Sequence, residues 1–257
     1  MVIVQSLWIG PTLTDMEVYC IKSFLKQGME FHLYTYDKVK RIPKGTKIKD
    51  GNKIMSSNEI FKLKETLLPF SDIWRYKMLY EKGGYWVDMD MICIKSFDFK
   101  EPYVFSSERT MNNGAFKMEV PHVPNIGILK APKGSPFYKE LHDKCVEIEK
   151  KKTNTDKLKY MRVLRKMIDK YRYKKYVKPP HYFCHLDWWY AKDAYMEVGN
   201  FKPKWGHSGL TMKSMFSKPY TIHLWRDLVT KKYKLDTNGK YHPDSLWEKL
   251  KDYVDAK

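Results

Sequence analysis

The sequence predicts an α/β fold in which a mostly parallel central sheet is flanked by helices. An apolar run at residues 2–4, helical spacing at 15–27 and an alternating run at 31–36 give the strand, helix, strand order that is typical of parallel pairing. The 257 residues are 43% hydrophobic and 15% aromatic, enough to bury a substantial core. Two carboxylates, Asp88 and Asp90, follow another apolar run, where open α/β sheets place their ligands.

The first predicted strand leads into a loop over residues 5–11, which a glycine and a proline interrupt. Thr14 or Asp15 is a suitable N-cap for the helix that follows, because apolar side chains recur after it at helical spacing. Gly28 is placed to end this helix. The beginning of the chain therefore predicts one strand-helix-strand unit.

A second predicted unit precedes the two carboxylates. Residues 38–53 are rich in lysine and contain proline and glycine, so they are interpreted as a loop. Ser71 is a suitable N-cap for the next helix, Asp72 lies where the helix dipole favours an acid, and Gly83 ends the helix. Residues 85–87 then form a strand that delivers the carboxylates to its end.

The later half of the chain carries weaker periodicity. It predicts a strand at 103–105, helices at 136–149 and 155–176, a short strand or loop at 221–225 and a terminal helix at 244–254. No internal repeat and no Ser/Gly-rich linker is present, so the sequence gives no firm domain boundary.

The chain is strongly basic, with a net charge of +18. Nucleic acid, anionic lipid headgroups and phosphorylated small molecules are partners that suit such a charge. Between residues 139 and 178, fifteen Lys or Arg face six Asp or Glu. Solvated helix faces are the default interpretation of this basic segment, and a surface that meets an anionic membrane or an acidic acceptor is the alternative.

The four cysteines are far apart and form neither a CxxC pair nor a zinc-type pattern, which favours reduced thiols. The first residues lack the basic start and cleavage site of a signal peptide, and no apolar run approaches the roughly 20 residues of a membrane helix. These observations predict a soluble, cytoplasmic protein, with peripheral attachment to a membrane as the alternative.

Asp88 and Asp90 are candidate ligands for a divalent cation. In an extended Asp-x-Asp the two side chains fall on the same face, because side chains alternate along a strand. Hard cations such as Mg²⁺ and Mn²⁺ prefer oxygen ligands and act as Lewis acids toward phosphates. An isolated pair of this kind is nevertheless common on solvated loops, so its surroundings decide its meaning.

The surroundings carry a longer pattern. S-D-x-x-R at residues 71–75, G-G at 83–84, an aromatic residue and D-x-D at 88–90 follow in this order. This pattern resembles DXD-containing glycosyltransferases of the family 32 type, which include Och1-like mannosyltransferases and α-1,4-galactosyltransferases; related signatures occur in the glucosylating clostridial toxins. Residues 5–10, 124–137 and 222–225 are similar to further segments of that family.

The resemblance implies a GT-A fold in one catalytic domain over residues 1–257. Residues 1–135 would form a Rossmann-like nucleotide-sugar-binding half, and residues 136–257 the acceptor side and a C-terminal closing segment. The implied activity is metal-dependent, retaining transfer of a hexose or related sugar in glycan or polysaccharide biosynthesis. Its donor is a nucleoside-diphosphate-sugar, with UDP favoured, its acceptor is a glycan or another hydroxyl compound, and its cofactor is Mn²⁺ or Mg²⁺.

The resemblance also assigns roles to individual residues. Asp90 would be the first metal ligand. Asp88 would contact the ribose or sugar and could also contact the metal, and His223 would be a third ligand or a pyrophosphate contact. The residues implied to bind the donor are Ser6, Trp8, Asp72, Arg75, Asp88, Asn125 and Trp225. The resemblance implies that Asp88 and Asp90 act in catalysis. Asp187 is a further catalytic candidate that the resemblance does not supply, as an acceptor base or orienting group.

Each role has a structural alternative. Trp8 and Trp225 can be core aromatics, Arg75 a structural ion-pair partner and His223 an interior histidine. Residues 181–190 depart from the family pattern. Core packing is the first interpretation of this aromatic segment, an acceptor subsite the second, and a metal site the third because its Cys and His spacing is poor for zinc.

Two other functions remain open at the level of sequence. The basic and aromatic composition suits a nucleic-acid-binding protein, but no recognised nucleic-acid-binding motif is present, so nucleic acid is not an expected partner. A metal-dependent nucleotidyl- or phosphotransferase would also use paired aspartates. Product analysis separates the latter from sugar transfer.

Overall fold

The computed structural model describes residues 1–110, 123–151, 156, 158–202 and 210–256. The strands are β1 (Ile3–Trp8), β2 (Glu30–Thr35), β3 (Lys47–Asp50), β4 (Gly84–Val87), β5 (Met91–Cys93), β6 (Val104–Glu108), β7 (Val123–Ala131) and β8 (Thr221–His223). The helices are α1 (Asp15–Lys26), α2 (Leu68–Lys82), α3 (Pro136–Lys151), α4 (Lys159–Lys170), α5 (Pro180–Phe183), α6 (Asp193–Met196), α7 (Met212–Ser217) and α8 (Leu246–Asp255). Within these described ranges, no helix is both long and apolar enough to cross a membrane.

The central sheet has six strands in the order β3-β2-β1-β4-β7-β6. β1 pairs in parallel with β2 and β4, and β2 pairs in parallel with β3. β7 is antiparallel to both of its neighbours, so it is the one strand of this sheet that runs in reverse. The predicted α/β fold with a mostly parallel sheet is therefore confirmed.

Both faces of the sheet are buried, and the pleat of β4 shows how. Tyr85 and Val87 point to a core that contains α1, α8 and the short β5-β8 sheet. Trp86, between them, points to a second core that contains α2, α3 and α4. Because successive side chains of a strand alternate between its faces, three residues of one strand join both hydrophobic layers.

Two strands occupy residues that the sequence assigned to loops. β1 continues to Trp8, four residues beyond the expected end, because it pairs with β2 along its whole length, including the polar residues Gln5 and Ser6. β3 lies inside the lysine-rich segment that the sequence assigned to a loop. It is an edge strand with one neighbour, and an edge strand tolerates charged side chains that a central strand does not.

Three further predictions were wrong in detail. α2 begins at Leu68 with Leu67 as its N-cap, so Ser71 lies inside the helix. β7 was not predicted as a strand. α4 ends at Lys170, because Arg172 adopts a left-handed backbone (φ 57°) before a 3₁₀ turn, and its expected start at residue 155 lies outside the described residues.

The glycine that ends α2 occupies a position that only glycine fits. Gly83 has φ 67° and ψ −162°, and a Cβ there would lie 2.4 Å from the backbone nitrogen of Lys133. Its carbonyl also accepts a 2.7 Å hydrogen bond from Gln5 Nε2. The turn thus fixes the entry of β4, and with it the position of the carboxylates at the end of that strand.

Gly83→Ala should therefore lower the free energy of unfolding by more than about 2 kcal/mol, since it combines a backbone clash with an unfavourable φ. Gly134→Ala is the matched control: Gly134 also has a positive φ of 76°, but a Cβ there meets no atom within 4 Å. That control should lose only about 1 kcal/mol. Urea denaturation of both variants measures the difference, and equal losses would contradict the close approach at Gly83.

Candidate active site

A cleft opens at the carboxyl ends of β1 and β4. Its main cavity has a volume of about 320 Å³. A second cavity of about 400 Å³ adjoins it and shares part of its lining, including Trp8 and Arg226. The predicted site residues that line the main cavity are Ser6, Trp8, Arg75, Asp88, Asp90, His223 and Trp225. Asp72, Asn125 and Asp187 were predicted to belong to the site but do not line either cavity.

Asp88, Asp90 and His223 converge in this cleft. One potential ligand atom from each lies within 4.8 Å of the others. The pairing of β5 with β8 brings them together, because it sets His223 opposite Met91, the residue after Asp90. The triplet Asp88-Met89-Asp90 is not extended as expected. Met89 and Asp90 form a turn, and this turn still brings both carboxylates to the same cavity.

The two aspartates divide their oxygens in the same way. Oδ1 of Asp88 accepts hydrogen bonds from Arg75 Nη1 at 2.9 Å and Trp86 Nε1 at 2.8 Å. Oδ2 of Asp90 accepts one from the backbone nitrogen of Arg226 at 2.8 Å and faces His223 Nε2 at 3.2 Å. Among the described residues, no hydrogen bond reaches the other oxygen of either aspartate. Two anchored carboxylates with one open oxygen each, beside an imidazole, fit a divalent cation.

The protonation of these groups is coupled. Burial raises the pKa of Asp88 above its usual value; Arg75 opposes this effect and the charge of Asp90 reinforces it. The pKa of Asp90 is lowered, because the attraction of His223 outweighs the effect of burial. Burial works against the charged form of His223, yet Asp90 raises its pKa well above the usual value. Without a cation, Asp90 and His223 therefore form an ion pair.

Arg75 forms ion pairs with two aspartates of the candidate site. Its guanidinium lies over the ring of Trp86, with 4.5 Å to the centroid, and contacts Asp72 Oδ1 at 3.1 Å as well as Asp88. Burial raises the pKa of Asp72 to about 7, while Arg75 opposes the rise. Asp72 is a buried partner of Arg75, so its predicted contact with a donor has no direct support in this geometry.

The aromatic residues of the cleft differ in their exposure to a ligand. Trp225 has a left-handed backbone (φ 56°), stacks on His223 with 3.9 Å between ring centroids and donates to the carbonyl of Leu186 at 2.9 Å. Trp8 Nε1 and Ser6 Oγ are buried and have no hydrogen-bond partner in the described part of the chain. Both line the cavity, so they are polar atoms that a ligand can satisfy.

The two remaining predicted residues lie behind the cleft. Asn125 Nδ2 donates to Glu108 Oε2 and approaches Cys184 Sγ, each at 3.2 Å. Asp187 accepts a 2.7 Å hydrogen bond from Arg109, and burial raises its pKa to about 6 although Arg109 opposes the rise. Their predicted roles toward donor and acceptor remain predictions.

The aromatic segment at residues 181–190 packs as its first interpretation proposed. Phe183, Trp189 and Tyr190 belong to the core that contains α1 and α8. Within the described residues, the only group of three potential metal ligands found together is the one formed by the two aspartates and His223. The zinc interpretation of this segment therefore has no geometric support there.

Sequence reasoning missed two residues that build the site. Arg226 donates its backbone N–H to Asp90, and its side chain donates to Glu17 at 2.7 Å. Glu17 also accepts from the backbone and hydroxyl of Thr14, completing a capping box at the start of α1. The spacing from Thr14 to Glu17 is a sequence signal for that box, but nothing in the sequence points to its contact with Arg226.

Two comparisons with known proteins give a match. Residues 14–110 match the family described as glycosyltransferase sugar-binding region containing DXD motif. Similar solved structures include one titled PaToxG Glycosyltransferase, with 14% identity and a TM-score of 0.48 over 66% of this chain and 69% of that chain. No curated protein matches significantly. The family match supports a DXD-containing glycosyltransferase.

Asp187 should make stability depend on pH. Its folded pKa of about 6 lies above its ordinary value of 3.8, so its contribution to stability is full below pH 3.8 and is lost as the pH rises through about 6. Between about pH 4.5 and about pH 7.5, the wild type should lose about 2 kcal/mol relative to Asp187→Asn in urea denaturation. Asp244→Asn, at an exposed aspartate whose pKa Lys249 lowers, is the control: relative to this variant, which keeps Asp187, the wild type should show no such loss. Parallel pH profiles for wild type and Asp187→Asn would contradict the burial effect.

Proposed function

We propose that this chain is a metal-dependent, retaining glycosyltransferase that transfers a hexose or related sugar from a nucleoside-diphosphate-sugar to a hydroxyl acceptor. The observation that carries the proposal is the convergence of Asp88, Asp90 and His223, each with a potential ligand atom in one cleft. The match of residues 14–110 to a DXD-containing sugar-binding region supports the assignment as a glycosyltransferase. The parallel arrangement of β1, β2 and β4 is consistent with the GT-A kind of fold.

Mn²⁺ or Mg²⁺ is the proposed cofactor. Bound there, the ion would act as a Lewis acid that stabilises charge on a leaving diphosphate. The open oxygens of Asp88 and Asp90, with Nε2 of His223, would hold it. Arg75 and the backbone of Arg226 keep the carboxylates oriented, because each donates to one oxygen of its aspartate and leaves the other open.

The donor is proposed to lie along the two adjoining cavities. Trp8 lines both of them and offers a flat ring and a buried N–H without a partner in the described chain. The guanidinium of Arg226 lies 5.5 Å from the centre of that ring; its Nε is paired with Glu17, and its remaining N–H groups are the ones proposed to meet a phosphate beside a stacked base. UDP is the nucleotide that the family resemblance of the sequence favours.

The proposed transfer takes place on one face of the sugar. Asp187 is not assigned as a covalent nucleophile, since it is paired with Arg109 and lies outside the two cavities. The bond from the anomeric carbon to the diphosphate oxygen breaks, and the acceptor oxygen bonds to the same carbon from the same face. The acceptor proton goes to the departing phosphate oxygen, which removes the need for a separate base.

The acceptor is proposed to be a glycan or another hydroxyl compound. An anionic membrane surface remains a prediction for the basic segment at residues 139–178. Several cations there form ion pairs one helical turn from an acid, as between Lys144 and Glu140 or Lys151 and Glu147. Such pairs favour solvated helix faces as the default.

Asp90→Asn should lower the rate of sugar transfer at least about a hundredfold, because it removes charge and a ligand oxygen from the cation site. The measurement is release of nucleoside diphosphate from a nucleotide-sugar with Mn²⁺ or Mg²⁺ present. EDTA should abolish the activity of the wild type. Asp143→Asn, at an exposed aspartate on α3, is the control and should leave the rate unchanged.

Full activity in EDTA or in Asp90→Asn would contradict the proposal of metal-dependent transfer. Release of pyrophosphate in place of nucleoside diphosphate would point to nucleotidyl transfer instead. In that case the cation site would stand, and the assignment of sugar transfer would fall.

Nucleotides should raise the melting temperature in a metal-dependent way. UDP or a UDP-sugar at about 100 times its dissociation constant should stabilise the fold by about 2.7 kcal/mol with Mn²⁺ present, and by much less without it. Trp8→Ala should weaken this shift without abolishing the binding of Mn²⁺. A thermal-shift panel that includes GDP and a single-stranded oligonucleotide is the measurement. A shift with the oligonucleotide alone would favour nucleic-acid binding, and a shift with GDP alone would overturn the choice of UDP.

A further inference from the structure

His223 contacts a second residue, through its other ring nitrogen, that has no role in the chemistry proposed above. Its Nε2 faces Asp90, and its Nδ1 lies 3.7 Å from Sγ of the fully buried Cys184. We propose that Cys184 is a positioning residue that holds the imidazole of His223 in the orientation and tautomer needed to ligate the cation. This inference rests on the proposed metal site.

The chemistry of imidazole makes the Nδ1 contact matter. A neutral ring has one N–H, and Nε2 can give its lone pair to a cation only when Nδ1 carries the hydrogen. That hydrogen then needs an acceptor, because the site is buried and water does not replace a lost partner there. Sγ of Cys184 is the acceptor that the fold supplies, in the position where a carboxylate or carbonyl commonly supports a metal-bound histidine.

Asn125 fixes the sulfur in this role. Its Oδ1 accepts from the backbone N–H of Gly127 at 3.3 Å and from the hydroxyl of Ser106. Since a backbone N–H only donates, the amide oxygen must face Gly127, and the amide nitrogen must face the opposite side. Nδ2 there donates to Cys184 Sγ and to Glu108, each at 3.2 Å.

These contacts form one chain from Glu108 through Asn125 and Cys184 to His223. They join the ends of β6 and β7, the residue after α5 and the last residue of β8. Asn125 is thus assigned a place behind the third ligand, which explains how a residue outside the cavity can matter to the site. A buried cysteine in this position acts through its sulfur lone pairs and needs no reactivity of its own.

The test is the dissociation constant of Mn²⁺, measured by electron paramagnetic resonance of the free ion. Cys184→Ala should bind Mn²⁺ about 10- to 100-fold more weakly than the wild type, as expected for the loss of a partner behind a ligand. Cys184→Ser keeps a donor and acceptor and should recover most of the affinity. Cys145→Ala is the matched control, because Cys145 is also fully buried but belongs to the other core. It should bind Mn²⁺ as the wild type does.

Each outcome separates this inference from the proposed function. If Asp90→Asn loses Mn²⁺ but Cys184→Ala binds it as tightly as the wild type, the role of Cys184 is wrong and the metal site stands. If the wild type binds no Mn²⁺, or Asp90→Asn binds it equally well, both fail. Urea denaturation checks that each variant is folded. Should Cys184→Ala not fold, Cys184→Val fills the space without a hydrogen-bonding atom, and unchanged affinity in that variant would overturn the inference.

Discussion

The short antiparallel ladder between β5 and β8 is the interaction on which the candidate site depends. Three residue pairs join segments about 130 positions apart and set His223 opposite Met91. The backbone N–H of Leu224 extends the pairing to the carbonyl of Asp90, at 2.9 Å. Closing so long a loop costs entropy, but the cost grows only with the logarithm of loop length, so a short buried ladder between packed elements can offset it. Without this pairing, the two aspartates would lack the imidazole beside them.

Two different parts of the fold hold the two sides of the site. Asp88 is fixed by Arg75 and Trp86, which belong to α2 and β4 at the centre of the sheet. Asp90 is fixed by the C-terminal segment, which Arg226 ties to Glu17 on α1. Removing one partner of a buried ion pair leaves an uncompensated charge, so each of these contacts is costly to break. The cleft lies between these two supports.

The sequence predicted the parts of this arrangement that local pattern determines. α1, α8 and the strand before Asp88 follow from caps, spacing and apolar runs, and the family resemblance named several residues of the main cavity, although not Arg226. β3 was missed because its lysines are typical of a loop, although an edge strand tolerates them. Asp187 was predicted at the site from residue type alone, whereas its partner Arg109 is fixed only by tertiary packing. No local pattern reveals a contact such as that between Arg226 and Glu17.

The same donors and acceptors that suit a cation hold one another when no cation is bound. The raised pKa of His223 and the lowered pKa of Asp90 describe an ion pair between Nε2 of His223 and Oδ2 of Asp90. A cation that binds Nε2 must displace the proton on that nitrogen, so binding and proton release are coupled. Arg75 and the backbone of Arg226 each donate to one oxygen of an aspartate, so both carboxylates are oriented before any ion binds. In the proposed site, only His223 would have to release a proton for its Nε2 to ligate an ion.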